Sequence, residues 1–184
     1  MQVIGKSRPP VPRRSLKLEA ALVALAAANG VFFALGGSTS KAIDSAAWLV
    51  LLILFLAEAH YPAAFAAATR RIAIRAMRFA AALGVFGAAL AYIFEGNALD
   101  AINTAVWIAV VVLLEAELRW PAGMARAKTL VSAAAIVLYG TLGALVVVWT
   151  ARGEWLDAYD AALWLAAFGL LELKLIKRPV PLRS

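Results

Sequence analysis

Long apolar stretches alternate along the chain with short polar or basic segments. A helix needs about 20 mostly apolar residues to cross the hydrocarbon layer of a membrane, and six stretches approach or reach that length. Glycine, serine or asparagine follows the first, third and fifth stretches, which is typical of tight turns between antiparallel helices. The pattern therefore predicts six transmembrane helices, over residues 17–35, 42–61, 76–94, 98–118, 129–150 and 158–176.

A second pattern occurs three times along the chain. In each copy a polar residue precedes a tryptophan by four positions, and a glutamate and a proline follow; the three pairs are Asp44 and Trp48, Asn103 and Trp107, and Asp160 and Trp164. A glycine also recurs in each preceding helix, at Gly30, Gly84 and Gly140. Repetition at a period of about 50–60 residues indicates one structural unit that has been copied. We therefore expect an all-α integral membrane protein built from three repeated antiparallel helical hairpins.

The segments between and beside the hairpins differ from them in composition. The predicted organisation is a basic, proline-rich tail (1–16), a first hairpin (17–62), a basic amphipathic connector (63–78), a second hairpin (79–121), a third hairpin (122–179) and a short tail (180–184).

The basic residues predict the orientation of the chain. Every lysine and arginine except Lys41 and Arg152 falls on the side of the predicted membrane that carries the two termini. Since cytoplasmic loops are enriched in lysine and arginine, both termini should be cytoplasmic, and we expect a multi-pass protein of a prokaryotic inner (plasma) membrane.

The amino-acid composition agrees with membrane insertion and limits the kinds of catalysis and ligand binding that the chain can support. Hydrophobic residues make up 64% of the chain, well above the roughly 45–50% of soluble domains. Cysteine is absent and His60 is the one histidine, so thiolate chemistry and bis-histidine haem ligation are excluded. The sequence contains no nucleophile–base pattern, metal-ligand spacing or phosphate-binding glycine loop. We therefore predict no enzyme, no cofactor and no metal, and we predict bound membrane lipid but no nucleic acid.

Acidic residues on the even-numbered helices are the candidate functional groups. Aspartates near the start of a helix are expected to cap free N–H groups. Glutamates near the other end lie where the helix dipole disfavours negative charge, so we expect them to pair with arginine or lysine; a proton or cation site is the alternative. The candidate acids are Asp44, Glu58, Asp100, Glu115, Glu117, Asp157, Asp160 and Glu172.

Aromatic and basic side chains are the candidate lipid contacts. Trp48, Trp107 and Trp164 lie near the predicted outer boundary, where tryptophans commonly form an interfacial belt. The basic connector places its arginines on one helical face, which suits anionic headgroups; a long third helix with a basic end is the alternative. These arginines are Arg70, Arg71, Arg75 and Arg78.

Small or polar residues inside the apolar stretches predict helix packing. Asn29 is expected to make an interhelical hydrogen bond, and Gly84, Gly87, Gly140 and Gly143 are expected to form close packing seams.

Two functions fit these observations. The absence of catalytic residues favours a non-catalytic accessory or scaffold subunit, packed against other membrane subunits or against a second copy. The internal repeats and the acids favour the alternative, a small ion or proton channel or transporter that uses acids on the even-numbered helices.

The predicted orientation can be tested by labelling, because the natural chain has no cysteine. Cysteines introduced at Ser38 or Asn97 should react with a membrane-impermeant maleimide added to intact cells. Cysteines at Ala125 or Ser184 should react only after the cells are opened. The reverse pattern would contradict the cytoplasmic placement of the termini.

Overall fold

The computed structural model describes residues 13–36, 38–61 and 67–176 of the 184-residue chain. These residues form helices and the turns between them, with no strand in the described ranges. The helices are α1 (Arg13–Leu35), α2 (Thr39–His60), α3 (Ala68–Phe94), α4 (Ala98–Arg119), α5 (Pro121–Arg126), α6 (Lys128–Arg152) and α7 (Trp155–Ile176). The prediction of an all-α fold is confirmed.

Five of these helices are long and apolar enough to cross a membrane. The qualifying stretches are Lys17–Leu35, Thr39–Glu58, Ala68–Phe94, Ala98–Glu117 and Lys128–Arg152. The 22-residue helix α7 is similarly long, but charged residues lie near both of its ends, from Asp157 to Lys174. A sixth span, the equivalence of the three hairpins and the orientation of the termini stay predictions.

The long helices pack into a closed ring. Each one contacts the next long helix along the chain, and α7 packs back against α1. The six-residue helix α5, which has a proline in its first turn, joins α4 to α6. The main buried cluster lies inside this ring and includes Leu52, Trp107, Leu142 and Trp164.

Three tight connections lie together at one end of the ring, which we call the loop end: α1 to α2, α3 to α4, and α6 to α7. Gly96 and Gly153 adopt left-handed backbone conformations in two of them, with φ of 75° and 76°, a region that glycine enters without steric cost. In the first connection the Ser38 side chain accepts a hydrogen bond from the Lys41 backbone N–H and caps α2. Helices α2, α4 and α7 therefore all begin at the loop end.

Helix α3 is continuous over 27 residues and includes most of the predicted basic connector. The described residues therefore form a long third helix with a basic end, which was the alternative, and not a separate interfacial helix. Arg78 of this helix makes an ion pair with Glu58 of α2. Residues 63–66 of the predicted connector lie outside the described residues.

The glycines of the predicted packing seams differ in their surroundings. A Cβ atom on Gly30 would lie 3.0 Å from the Ser45 hydroxyl, and one on Gly84 would lie 3.1 Å from the Ala47 Cβ atom, so α2 approaches both neighbours closely. A Cβ atom on Gly140, Gly87 or Gly143 would meet nothing within 4 Å among the described residues. The seam prediction holds for Gly84 and is wrong within this chain for the other three, because no described atom lies close to them.

Because their surroundings differ, Gly84 and Gly140 should differ in how well they tolerate a larger side chain. Gly84→Val should lower the free energy of unfolding by about 1–3 kcal/mol, because the added carbon atoms press on Ala47 in a packed interface. The matched change Gly140→Val should lower it much less. Unfolding in mixed micelles, followed by circular dichroism, measures both; equal losses would contradict the close contact at Gly84.

Candidate functional site

Polar side chains of three parallel helices meet at the loop end, where they form successive layers. The outermost layer joins Lys41 of α2, Asp100 of α4 and Asp157 of α7, which we call the lysine triad. The Lys41 ammonium lies 2.5 Å from an Asp157 carboxylate oxygen and 3.3 Å from an Asp100 oxygen. All three side chains are largely buried, so the ion pairs hold the starts of three helices together.

The second layer consists of Asp44, Asn103 and Asp160, which follow the triad residues by three positions on the same helices. The Asp44 carboxylate accepts hydrogen bonds from the Thr104 hydroxyl at 3.1 Å and the Tyr92 hydroxyl at 3.3 Å. This layer therefore connects α2 to both α3 and α4.

Asp160 is bound from the first helix. The Asn29 side-chain amide donates to one of its oxygens at 2.5 Å. Asn29 thus makes the predicted interhelical hydrogen bond, between α1 and α7.

Two of the four aspartates that were expected to act as caps lie in the first turn of a helix, although the start of α4 has no side-chain capping hydrogen bond. Asp100 and Asp157 lie in the first turns of α4 and α7. Asp44 and Asp160 lie beyond the first turns of α2 and α7, so the capping prediction is wrong for them. Their carboxylates are instead held by side chains of neighbouring helices.

Tryptophans form the third layer, one helical turn below the second. The ring centroid of Trp48 lies 6.4 Å from that of Trp107 and 6.3 Å from that of Trp164. Phe168 packs beside them, 4.7 Å from Trp107. Trp107 and Trp164 are only 4% and 6% exposed, which corrects the expectation of a lipid-facing belt. The reason is that each tryptophan shares a helical face with the inward-pointing polar residue four positions earlier.

The layers line a small, partly open cavity. Further aromatic side chains complete the lining: Phe33, Tyr92 and Trp149. Beneath the tryptophans the interior is apolar, with Leu52, Val110 and Leu142 buried. The cavity thus has charged and polar walls near its mouth and an aromatic floor.

Several buried oxygen atoms around this cavity have no hydrogen-bond partner among the described residues. Buried polar atoms in proteins are nearly always paired, because an unpaired one loses its hydration without compensation. Ser45, which lines the cavity, is only 6% exposed. The unpartnered atoms are Asn29 Oδ1, Asp44 Oδ1, Ser45 Oγ and Asn103 Oδ1. All four can accept a hydrogen bond, and two of them, Asp44 Oδ1 and Asn103 Oδ1, belong to the second layer. This layer therefore suits a ligand that donates hydrogen bonds or carries positive charge.

The glutamates occupy a different region, at the end of the ring opposite the loop end. We call it the terminal end, because α1 begins and α7 ends there. Glu58 pairs with Arg78, and Glu115 lies 2.5 Å from Arg119, so the predicted ion pairs are present for these two. Glu117 is exposed, as are Arg70, Arg71 and Arg75 on α3. The Glu172 side chain lies outside the described residues. An additional pair, Glu19 with His60 at 2.5 Å, was not predicted.

The sequence did contain a signal for the lysine triad. Lys41, Asp100 and Asp157 each lie three positions before the polar residue of the repeated pattern. Aligning the repeats a few residues further upstream would have placed the lysine opposite two aspartates. Tyr92 and Thr104 carried no such signal, because they belong to no repeated position.

The lysine triad predicts a stability test. Lys41→Met should lower the free energy of unfolding by about 3 kcal/mol, because Asp100 and Asp157 would remain buried without their counter-charge. Adding Asp157→Asn to this variant should restore part of the loss. Arg119→Met, which breaks the exposed pair with Glu115, should cost at most about 1 kcal/mol. Chemical unfolding of the purified variants measures the three values; a Lys41→Met protein as stable as the natural chain would contradict the triad.

No protein-family model matches this chain, and no curated protein or solved structure matches it either.

Proposed function

We propose that this polytopic membrane protein is a carrier that binds a small cation in the loop-end cavity. The observation that supports this is the charge of the lining, which contains four aspartates and one lysine. With every group ionised, one positive and four negative charges leave a net charge of −3. A positively charged ligand would balance part of it.

The distribution of the charge points to the second layer as the binding position. Lys41 makes its ion pairs with Asp100 and Asp157 in the outer layer. The described donors that reach the other two carboxylates are neutral: Tyr92, Thr104 and Trp48 at Asp44, and Asn29 and Trp164 at Asp160. Charged groups within a membrane domain are costly and are usually retained for function. A cation held between Asp44 and Asp160 would lower that cost.

The floor of the cavity favours a carrier over an open channel. The tryptophan layer and the apolar cluster beneath it separate the aspartates from the glutamates at the terminal end. Passage of a cation would therefore require the helices to move, as in alternating access. If six helices span the membrane and the termini are cytoplasmic, the cavity opens to the outside.

The accessory-subunit function has weaker support from this geometry. A scaffold needs stable packing. Apolar side chains in place of Asp44 and Asp160 would provide that packing without buried charge. A subunit role becomes the favoured function if the purified protein binds no cation.

The carrier is tested with the full-length protein reconstituted in liposomes on a solid-supported membrane. Rapid exposure to sodium, potassium, calcium or methylammonium chloride should produce a charge displacement with at least one of the four. Asp44→Asn and Asp160→Asn should each reduce that signal at least tenfold, since the amide keeps the shape and removes the charge.

Glu117→Gln is the matched control, because it makes the same chemical change on an exposed side chain at the terminal end. It should leave the signal unchanged. A folded protein that responds to none of the four cations, or whose aspartate variants respond like the natural chain, would show the proposal to be wrong.

A further inference from the structure

We infer that the cation is an organic ammonium, a protonated amine or a methylated ammonium head, held between the second layer and the tryptophan floor. This inference rests on the proposed cation-binding function and names the chemical class of the ligand.

The protein already holds one ammonium group in the same cavity. The Lys41 side chain ends in an ammonium that two carboxylates bind, at 2.5 and 3.3 Å. The same nitrogen lies 5.6 Å from the centroid of the Phe33 ring, within the distance at which a cation is attracted to an aromatic face. The lysine triad thus combines two carboxylates with an aromatic ring around an ammonium.

The second layer repeats this combination without a lysine of its own. Its residues follow those of the triad by three positions, which places them about 4.5 Å further along the helix axes. Two of them are carboxylates, Asp44 and Asp160, and the third is the amide Asn103. Asp44 Oδ1 and Asn103 Oδ1 have no partner among the described residues. An ammonium with N–H groups can donate to both.

The aromatic content of the lining favours an organic ammonium over a metal ion. Calcium and magnesium bind six or more oxygen ligands, so a lining rich in aromatic rings suits them poorly. No group of three or more His, Cys, Asp or Glu side chains that could hold a metal ion occurs within the described residues. Tryptophan gives the strongest cation–π attraction among the side chains, and three tryptophans form the floor. Methyl groups on the ligand would contact these rings, while the carboxylates would balance the charge.

The inference is tested by isothermal titration calorimetry of the full-length protein in detergent. The ligands are methylammonium, tetramethylammonium, sodium, potassium and calcium chlorides at equal ionic strength. We expect one or both organic cations to bind at least tenfold more tightly than any of the three metal ions. Asp44→Asn should weaken that binding at least tenfold.

Two substitutions at one tryptophan separate ring chemistry from packing. Trp48→Phe keeps an aromatic face and should weaken binding of the organic cation by a few fold. Trp48→Leu removes the face and should weaken it about tenfold or more. Trp120→Leu, a matched change at an exposed tryptophan of the terminal end, should have no effect. If Trp48→Leu fails to fold, the Phe variant together with the ligand-induced rise in Tm of the natural chain decides the question.

The outcomes distinguish this inference from the proposed function. Binding of a metal ion that depends on Asp44, with no organic cation bound, would overturn the ammonium assignment and leave the carrier proposal standing. Binding of methylammonium that neither Asp44→Asn nor the Trp48 variants weaken would overturn the assignment to this cavity. A folded protein that binds none of the five cations would overturn both.

Discussion

Compensation of buried charge is the constraint on which the rest of this structure depends. Four aspartates enter an apolar ring of helices, where an unpaired charge is far more costly than in water. One lysine compensates the outer two, and hydroxyl and amide donors from neighbouring helices reach the inner two. Because those donors come from α1, α3 and α4, the polar contacts also determine which helices lie beside one another at the loop end. In a lipid environment such contacts add to close packing, since the hydrophobic effect does not drive helices together.

Helical periodicity turns a short repeated pattern into a layered site. Residues three or four positions apart lie on the same face of a helix, so each of α2, α4 and α7 presents a triad residue, a polar residue and a tryptophan in succession. The parallel start of these helices at the loop end brings the residues of each position of the pattern together in one layer. The copies are not identical, since a lysine replaces an aspartate at Lys41 and an amide replaces a carboxylate at Asn103. These two differences reduce the negative charge of the site and make it asymmetric.

The two ends of the ring are built differently. At the loop end the charged groups point inward and pair across helices that are far apart in sequence. At the terminal end the pairs Glu58–Arg78 and Glu115–Arg119 lie on the exposed surface, where ion pairs contribute little to stability. The aromatic floor and the apolar cluster separate these regions.

The sequence by itself determined the helical class, the approximate helix limits and the polar–tryptophan repeat, because length, hydropathy and turn residues act locally. It also predicted that Glu58 and Glu115 pair with basic side chains, because both glutamates lie in an unfavourable position near a helix end. Only the tertiary structure decided that Asp44 and Asp160 bind neighbouring helices rather than cap their own, and that the tryptophans lie inside the ring. Residues that lie on one face of a helix have the same spacing in the sequence whether that face contacts lipid or protein. The difference arises from the order in which the helices close the ring, and that order depends on contacts such as Lys41 with Asp157 across 116 residues of chain.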